Sequence, residues 1–382
     1  MVYLDNNATT PLDPAVAEKV SLFLKERFGN PSSLYPIGRD VKDMLSQARE
    51  IIAQSLGAIR TEIFFTGSGT EADNFAIRGV MDALPDKKEL IISKIEHPAV
   101  IETSNYLKKH GITVKYVPVD SYGTIDLDYL KNAISDQTAL ISIMHANNEL
   151  GTIQPIEAVV NLAKEKGVLV HTDAVQSFGK IDVNVNNLGV DLLSISAHKI
   201  NGPKGVGALY IKKGTPIHPL IFGGGQEREM RAGTENTSGI VGFGEAVRQI
   251  QKHRDADNKK IEHLAAKLKK GIEKSIPKVK FNGPEKNRIH GTLNFSFYGL
   301  EAEAILLSLA TKEIYVSTGS ACSEDTEEVS HVLSAIGLRP EEARGTLRIS
   351  LGRLNTEEDI DTILDELPEI VHKLREISTI SI

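Results

Sequence analysis

The sequence predicts an α/β protein: a large domain with a mostly parallel seven-stranded sheet wound with helices, plus a smaller α+β C-terminal domain. Short, nearly unbroken apolar runs recur between residues 63 and 211, as strands buried on both faces require. Helix-like stretches separate most of these runs, as crossovers between parallel strands do. From about Ile240 the pattern changes to one long charged helical stretch, then to a shorter second series of elements.

In chain order the runs are 63–66, 90–93, 113–117, 140–144, 168–171, 192–195 and 206–211. Between them, stripes such as Val41, Leu45, Ala48 and Ile52 recur at helical spacing. The long helical stretch covers 240–275. Beyond it come a strand at 293–297, a helix near 302–309, and strands near Ile314 and Leu347. A last helix has the stripe Ile360, Ile363, Leu364, Leu367, Ile370, Val371 and Leu374, with Thr356 and Asp359 as its capping box. The expected division is a large domain over 13–255 and a small one over 256–382 with residues 1–12.

Composition narrows the function classes. The chain has 382 residues, a formal net charge of −7 and no long basic block, which argues against nucleic acid or an anionic membrane as the main partner. No run of about 18 apolar residues occurs, so no bilayer span is expected. No basic leader followed by an apolar stretch opens the chain. A single cysteine, Cys322, excludes an internal disulfide and Cys-rich zinc sites. The expected compartment is a reducing one, most simply the cytoplasm.

Polar residues gather just past the expected strand ends, where ligands bind in open α/β sheets. They are Gly67-Ser68-Gly69-Thr70-Glu71, Glu96-His97, His145 to Glu149, Asp173 with Gln176, and Ser196-Ala197-His198-Lys199. Together they read as a pocket for an anionic, aromatic, electrophilic cofactor. Gly69 and Thr70 open a helix, whose free N–H groups favour phosphate. Ser196 and His198 add donors. Asp173 can keep a pyridine nitrogen protonated, and Lys199 can bind the cofactor through its amine. His97 can stack on the ring and shuttle protons. Asn147 and Gln176 can address the ring oxygen. Each residue also has a plain reading: Asp173 as a helix cap, Lys199 as a solvated charge, Cys322 as an inert thiol, His171 as packed in its strand. Gly67 to Ala72 also fits a dinucleotide fingerprint, with Glu96 as its acid.

The segments Asp5-Asn6-Asn7-Ala8-Thr9-Thr10, Gly29-Asn30-Pro31-Ser32-Ser33, His171-Thr172-Asp173-Ala174-Val175-Gln176, Ser196-Ala197-His198-Lys199, Arg231-Ala232-Gly233-Thr234-Glu235-Asn236, Gly319-Ser320-Ala321-Cys322-Ser323 and Arg348-Ile349-Ser350 resemble the cysteine desulfurases, in the iron–sulfur cluster assembly branch. These are fold-type I, class-V aminotransferase-like enzymes that use pyridoxal 5'-phosphate (PLP), and the matching segments span nearly the whole chain in the family's order. The resemblance implies that Lys199 carries PLP, Asp173 pairs with its nitrogen, Gln176 and Asn147 address the ring, and His97 stacks on it. Gly69, Thr70, Ser196 and His198 would hold the phosphate. Thr234 would reach the phosphate of the other subunit of a homodimer. Arg348, with Asn30, would bind the carboxylate of L-cysteine. Lys199 would take the α-proton, and the Cys322 thiolate would receive the sulfur as a persulfide, releasing L-alanine. A scaffold protein for iron–sulfur clusters, or a tRNA-thiolating acceptor, would collect the sulfur. Cys322 would also serve as a cluster ligand during transfer; no other metal ligand is expected. The stretch after Cys322, Ser323-Glu324-Asp325-Thr326-Glu327-Glu328, departs from the family's small residues. Its four acids would disfavour a thiolate. Rival readings are a selenocysteine lyase, a class-V aminotransferase, an inactive scaffold and a dinucleotide oxidoreductase.

Overall fold

The structure, a computed structural model, describes residues 1–318 and 329–378. The chain opens with β1 (Val2–Tyr3), α1 (Pro14–Glu26) and α2 (Pro36–Leu56), and then enters the large sheet. Its strands are β2 (Ile63–Thr66), β3 (Glu89–Ser93), β4 (Thr113–Val117), β5 (Thr138–Ser142), β6 (Leu169–Asp173), β7 (Leu192–Ser196) and β8 (Gly207–Ile211). They lie in the order β2-β8-β7-β6-β5-β3-β4. β8 runs antiparallel to both its neighbours, and every other pairing is parallel. The carboxyl ends of β2, β3, β5, β6 and β7 therefore meet at one edge.

The intervening helices are α3 (Gly69–Ala83), α4 (Pro98–Lys109), α5 (Leu127–Ala133), α6 (Ile156–Lys164) and α7 (Val185–Leu188). Alternate strand residues face opposite cores. Ile63, Phe65, Ile141 and Ile195 join the side chains of α1, α2 and α6. Phe64, Leu90, Leu140 and Leu209 join those of α3 and α4. The sheet is thus covered on both faces, as its unbroken apolar runs require. Only the edge strand β4 is largely half-buried.

α8 (Thr237–Ser275) has 39 residues, about 58 Å at 1.5 Å per residue. Ile240, Phe243 and Val247 pack in the large core. Leu264, Leu268 and Ile272 pack in a second core. The expected division at 255/256 falls inside this helix. Gly244 lets it approach α2: a Cβ there would lie 2.8 Å from Ala48 Cβ and 2.9 Å from Ala48 Cα.

The second core is built on β9 (Val279–Asn282), β10 (Thr292–Phe297), α9 (Ala302–Ala310), β11 (Ile314–Tyr315), β12 (Thr346–Ser350) and α12 (Glu357–Ile377), while α10 (His331–Ala335) and α11 (Pro340–Arg344) pack against Ile95, Met144 and Leu150 past the ends of β3 and β5. β10 is the centre of an antiparallel sheet between β9 and β12. β1 pairs in parallel with β11, so Val2 and Leu4 belong to this core. The chain then runs from β1 across to the large sheet's carboxyl edge. Thr356 and Asp359 form the capping box of α12.

Candidate active site

The turn after β2 is shaped by its own side chains. Ser68 Oγ accepts a hydrogen bond from Glu71 N at 3.1 Å. Glu71 Oε2 accepts from Gly67 N at 2.8 Å, and Arg231 Nε donates to Glu71 Oε1 at 2.8 Å. The amides of Gly69 and Thr70 stand in the first turn of α3, where the helix offers no acceptor and its dipole is positive. A Cβ at Gly69 would lie 2.8 Å from Val175 Cγ2 and 3.4 Å from Ser196 Cβ. Glycine is therefore what lets the helix start reach the ends of β6 and β7. Ser196 Oγ is buried there and has no hydrogen-bond partner among the described residues. His198 lies nearby, its Nδ1 3.1 Å from Thr9 Oγ1. Burial, then the Lys199 charge, push its pKa down to about 4, so the ring is neutral at pH 7. A buried hydroxyl without a partner, beside two helix-start amides and a neutral imidazole, fits a phosphate group.

Asp173, at the end of β6, is buried and accepts from Val175 N at 2.9 Å. Burial holds its pKa above the usual carboxylate range, while Lys199 pulls it back down. Asp73 of α3 lies beneath it, and burial followed by repulsion from Asp173 raises its pKa. A ring cation beside Asp173 would offset that burial. His97 caps α4, its Nδ1 accepting from Ala99 N at 3.1 Å, which leaves the ring proton on Nε2. Burial, Lys199 and His331 push its pKa down to about 4. Glu96, beside it, is buried and accepts from Ser93 Oγ at 2.5 Å and Met144 N at 3.0 Å. Burial pushes its pKa up to about 8. Its carboxyl group joins β3 to the end of β5 and cannot reach a nucleotide ribose, which removes the acid of the dinucleotide reading. His171 is packed in its strand between Ser142 Oγ at 2.8 Å and Ser194 Oγ at 3.0 Å.

Two amides differ in their commitments. Asn147 Oδ1 accepts from Glu149 N and Leu150 N, each at 2.9 Å, and its Nδ2 donates to Ile95 O at 3.1 Å. It braces the loop after β5. Gln176 donates to Asn7 O at 2.9 Å and accepts from Lys180 Nζ at 2.9 Å. Lys199 Nζ donates to Asn7 O at 2.5 Å and to Ala8 O at 2.8 Å. Asp173, Gln176, Lys199, His97, His198, Ser196 and Gly69 are thus gathered around one carboxyl edge.

Arg348, in β12, is buried at 3% side-chain exposure. It donates to Asp5 Oδ1 at 2.7 Å and to Asn148 O at 3.3 Å, and its buried Nε has no partner among the described residues. Ser317 pairs with Arg348 through the backbone, at 3.0 and 2.7 Å. Ser330 Oγ donates to buried Glu149 at 2.7 Å. Cys322 lies outside the described residues, between these two fixed points. Asn30 is not brought to Arg348: it is exposed in the loop between α1 and α2, and accepts from Ser32 N at 2.9 Å. Thr234 lines a separate cavity of about 150 Å³ with Gly67, Arg231 and Glu235, which neither Lys199 nor Asp173 lines.

Sequence reasoning assigned no individual role to Asp5, Asn7 or Lys180. The one signal for Lys180 was its spacing, four residues after Gln176 and just past a strand end. Asp5 and Asn7 carried none beyond their place in a quoted segment, because their roles arise from the N-terminus folding across the sheet edge.

An α/β sheet with a phosphate cradle, a buried carboxylate and an amine at one edge defines the class, and residues 2–363 match the aminotransferase class-V family. Within that class, the chain belongs to the cysteine desulfurases. It is 52% identical over 378 residues to the cysteine desulfurase IscS of Dictyoglomus turgidum, covering 99% of this chain and 96% of that one. To IscS of Clostridium botulinum it is 50% identical over 380 residues, with the same coverage. A solved NifS-like protein superposes with a TM-score of 0.92 at 42% identity, covering 98% of this chain and 100% of its own. SspA, solved in complex with cysteine, gives 0.83 at 38% identity, covering 93% and 100%. Among the described residues, no helix is long and apolar enough to cross a membrane.

Proposed function

We propose that this chain, as a homodimer, removes sulfur from L-cysteine with PLP as cofactor, leaving L-alanine and a persulfide on Cys322. The observation that carries the reading is the convergence of Lys199, Asp173 and the unsatisfied Ser196 hydroxyl on one sheet edge. PLP supplies an electrophilic carbonyl carbon and a pyridinium ring that withdraws electrons.

The chain's own groups do the rest. Gly69, Thr70, Ser196 and His198 hold the phosphate, with Thr234 reaching the other subunit's. Asp173 keeps the ring nitrogen protonated. Gln176, Asn147 and His97 would hold the ring. Arg348 binds the substrate carboxylate, a geometry a planar guanidinium suits, while Asn30, exposed between α1 and α2, stands apart from it. Asp5 then competes with that carboxylate for the same fork. Lys199 carries the substrate's α-proton. The Cys322 thiolate attacks the substrate sulfur: the carbon–sulfur bond breaks, a sulfur–sulfur bond forms, and the alanine carbon takes a proton.

Residues 13–255 form the cofactor-binding part, and residues 256–382 with 1–12 the part that presents Cys322. The persulfide passes to an iron–sulfur scaffold protein or another sulfur acceptor, in the cytoplasm.

Cys322→Ala is expected to abolish sulfide release from L-cysteine while leaving the visible cofactor band intact. Borohydride is expected to fix that band on Lys199, read by peptide mass. Undiminished sulfide release from Cys322→Ala, or fixation elsewhere, would overturn the assignment.

A further inference from the structure

Lys180 stands four residues past Gln176, in the turn after β6. Its Nζ donates to Asn7 Oδ1 at 3.0 Å and to Gln176 Oε1 at 2.9 Å. Asn7 also takes the Lys199 amine, on its backbone oxygen at 2.5 Å. Two cations are thus bound to one residue, one on its carbonyl and one on its side-chain amide. Among the described residues no carboxylate forms an ion pair with Lys180. It shares the wall of a cavity of about 500 Å³ with Lys199, Asp182, Arg254, Asp257 and Arg353. Two of the acids there are taken, Asp182 by Arg254 and Asp257 by Arg353, each at 3.3 Å, and the third, Glu262, lies 3.9 Å from His290. A partly buried cation held only by amides is costly to keep, and a structural role would be met by an uncharged donor.

We propose that Lys180 is a positioning residue for Lys199: held between Asn7 and Gln176, it orients both amides and sets a second positive charge behind Lys199, so that Lys199 gives up its proton more readily. The inference rests on the cofactor reading above and deepens it.

Apart from Asp173, the charged groups named here as facing the two amines are cations. Lys199 faces Asp173 from the end of β6, His97 from the start of α4, His198 beside it and Lys180. The two imidazoles are neutral at pH 7, so among these groups Lys180 is the cation opposing Asp173. Lys180 faces Lys199 and, from β12, Arg348. Burial, then these two charges, push the Lys180 pKa down to about 7. Like charges at close range disfavour each other's protonation, so removing either raises the proton affinity of the other. The Gln176 amide cannot turn over without losing the Lys180 bond, because its nitrogen has no lone pair to offer an ammonium.

The test is a pH titration of the visible absorption of the PLP-loaded enzyme. Lys180→Gln keeps a hydrogen-bond donor and removes the charge. Lys180→Met removes both, and serves if the glutamine variant does not fold. Lys180→Arg keeps the charge. The titration midpoint is expected to rise by about one pH unit in the neutral variants and to stay near the native value in the arginine variant. A native band whose midpoint is the same in a folded neutral variant overturns the proposal. So does a midpoint raised equally by arginine, since charge would then not be the agent. A native protein with no visible band sinks the cofactor reading and this inference together, whereas a visible band that does not titrate sinks this inference alone.

Discussion

At the residue scale, the site is a set of titratable groups whose burial works against their charge. His97, His145 and His198 are each pushed down to about 4 by burial, while Glu96 is pushed up to about 8 and Glu149 to about 7. Each group is thereby kept neutral near pH 7 or close to it, which leaves Asp173, Lys199, Lys180 and Arg348 as the charges around the amine. Glu149 gives the clearest stability test. Burial raises its pKa against the Ser330 hydrogen bond and the Arg348 charge, which lower it. With an unfolded value of 4.5, the unfolded chain loses its proton first as pH rises. The folded protein therefore loses stability between about pH 4.5 and 7, and the loss is complete above that. Its size is on the order of 3 kcal/mol. Glu149→Gln, which still accepts from Ser330, is expected to gain on the native protein over this window and to run parallel below it, in urea unfolding at several pH values. A stability difference that does not change between pH 4.5 and 8 would refute the assignment. The sequence exposed such residues where they follow an apolar run, because a strand end fixes both their location and their direction. Asp173, Ser196 and His97 were visible for that reason. Asn7 was not: its partner Gln176 is 169 positions away, and no periodicity relates the two.

At the element scale, most of the strands and helices followed from spacing, but their directions and shared packing did not. An apolar run reads the same in either direction, so the antiparallel course of β8 had no signature in residues 206–211. α8 shows a second limit. Its charged pattern continues without a break through 255, so nothing in the sequence reveals that one helix serves two cores. The contact that fixes its first half is local. With a Cβ, Gly244 would press on Ala48 at 2.8 Å, and a packed helix pair yields only by moving apart. Gly244→Ala is expected to cost about 1–3 kcal/mol, measured by denaturant midpoint at unchanged slope. Ala48→Gly on the same chain is expected to recover part of the loss, since it removes the nearest methyl group but not the Cα behind it. Additive losses in the double variant would show that the two helices do not meet as described.

At the scale of the whole molecule, the two cores are tied along α8 and through the N-terminal segment, and α10 and α11 add a cluster with Ile95, Met144 and Leu150. The second tie passes through Asn7, which is buried. Its backbone N donates to Ser350 Oγ at 2.9 Å and its Nδ2 to Thr292 Oγ1 at 2.8 Å, both in the second core. Its oxygens accept from Gln176, Lys180 and Lys199 on the large sheet. One residue, through its backbone and its side chain together, therefore holds the amine-bearing edge against the sheet that carries Arg348. Asn7→Ala removes the bonds to Thr292, Asn148 and Lys180 and leaves buried groups unsatisfied, each at about 1–3 kcal/mol. Stability alone would not separate this from any other core defect, so Gly244→Ala is the comparison: it weakens the molecule far from the cofactor. If Asn7 couples the two cores at the site, Asn7→Ala is expected to release PLP markedly faster on dialysis than Gly244→Ala under conditions where both remain folded. Equal retention by the two variants would mean that the N-terminal tie supports the fold and nothing more.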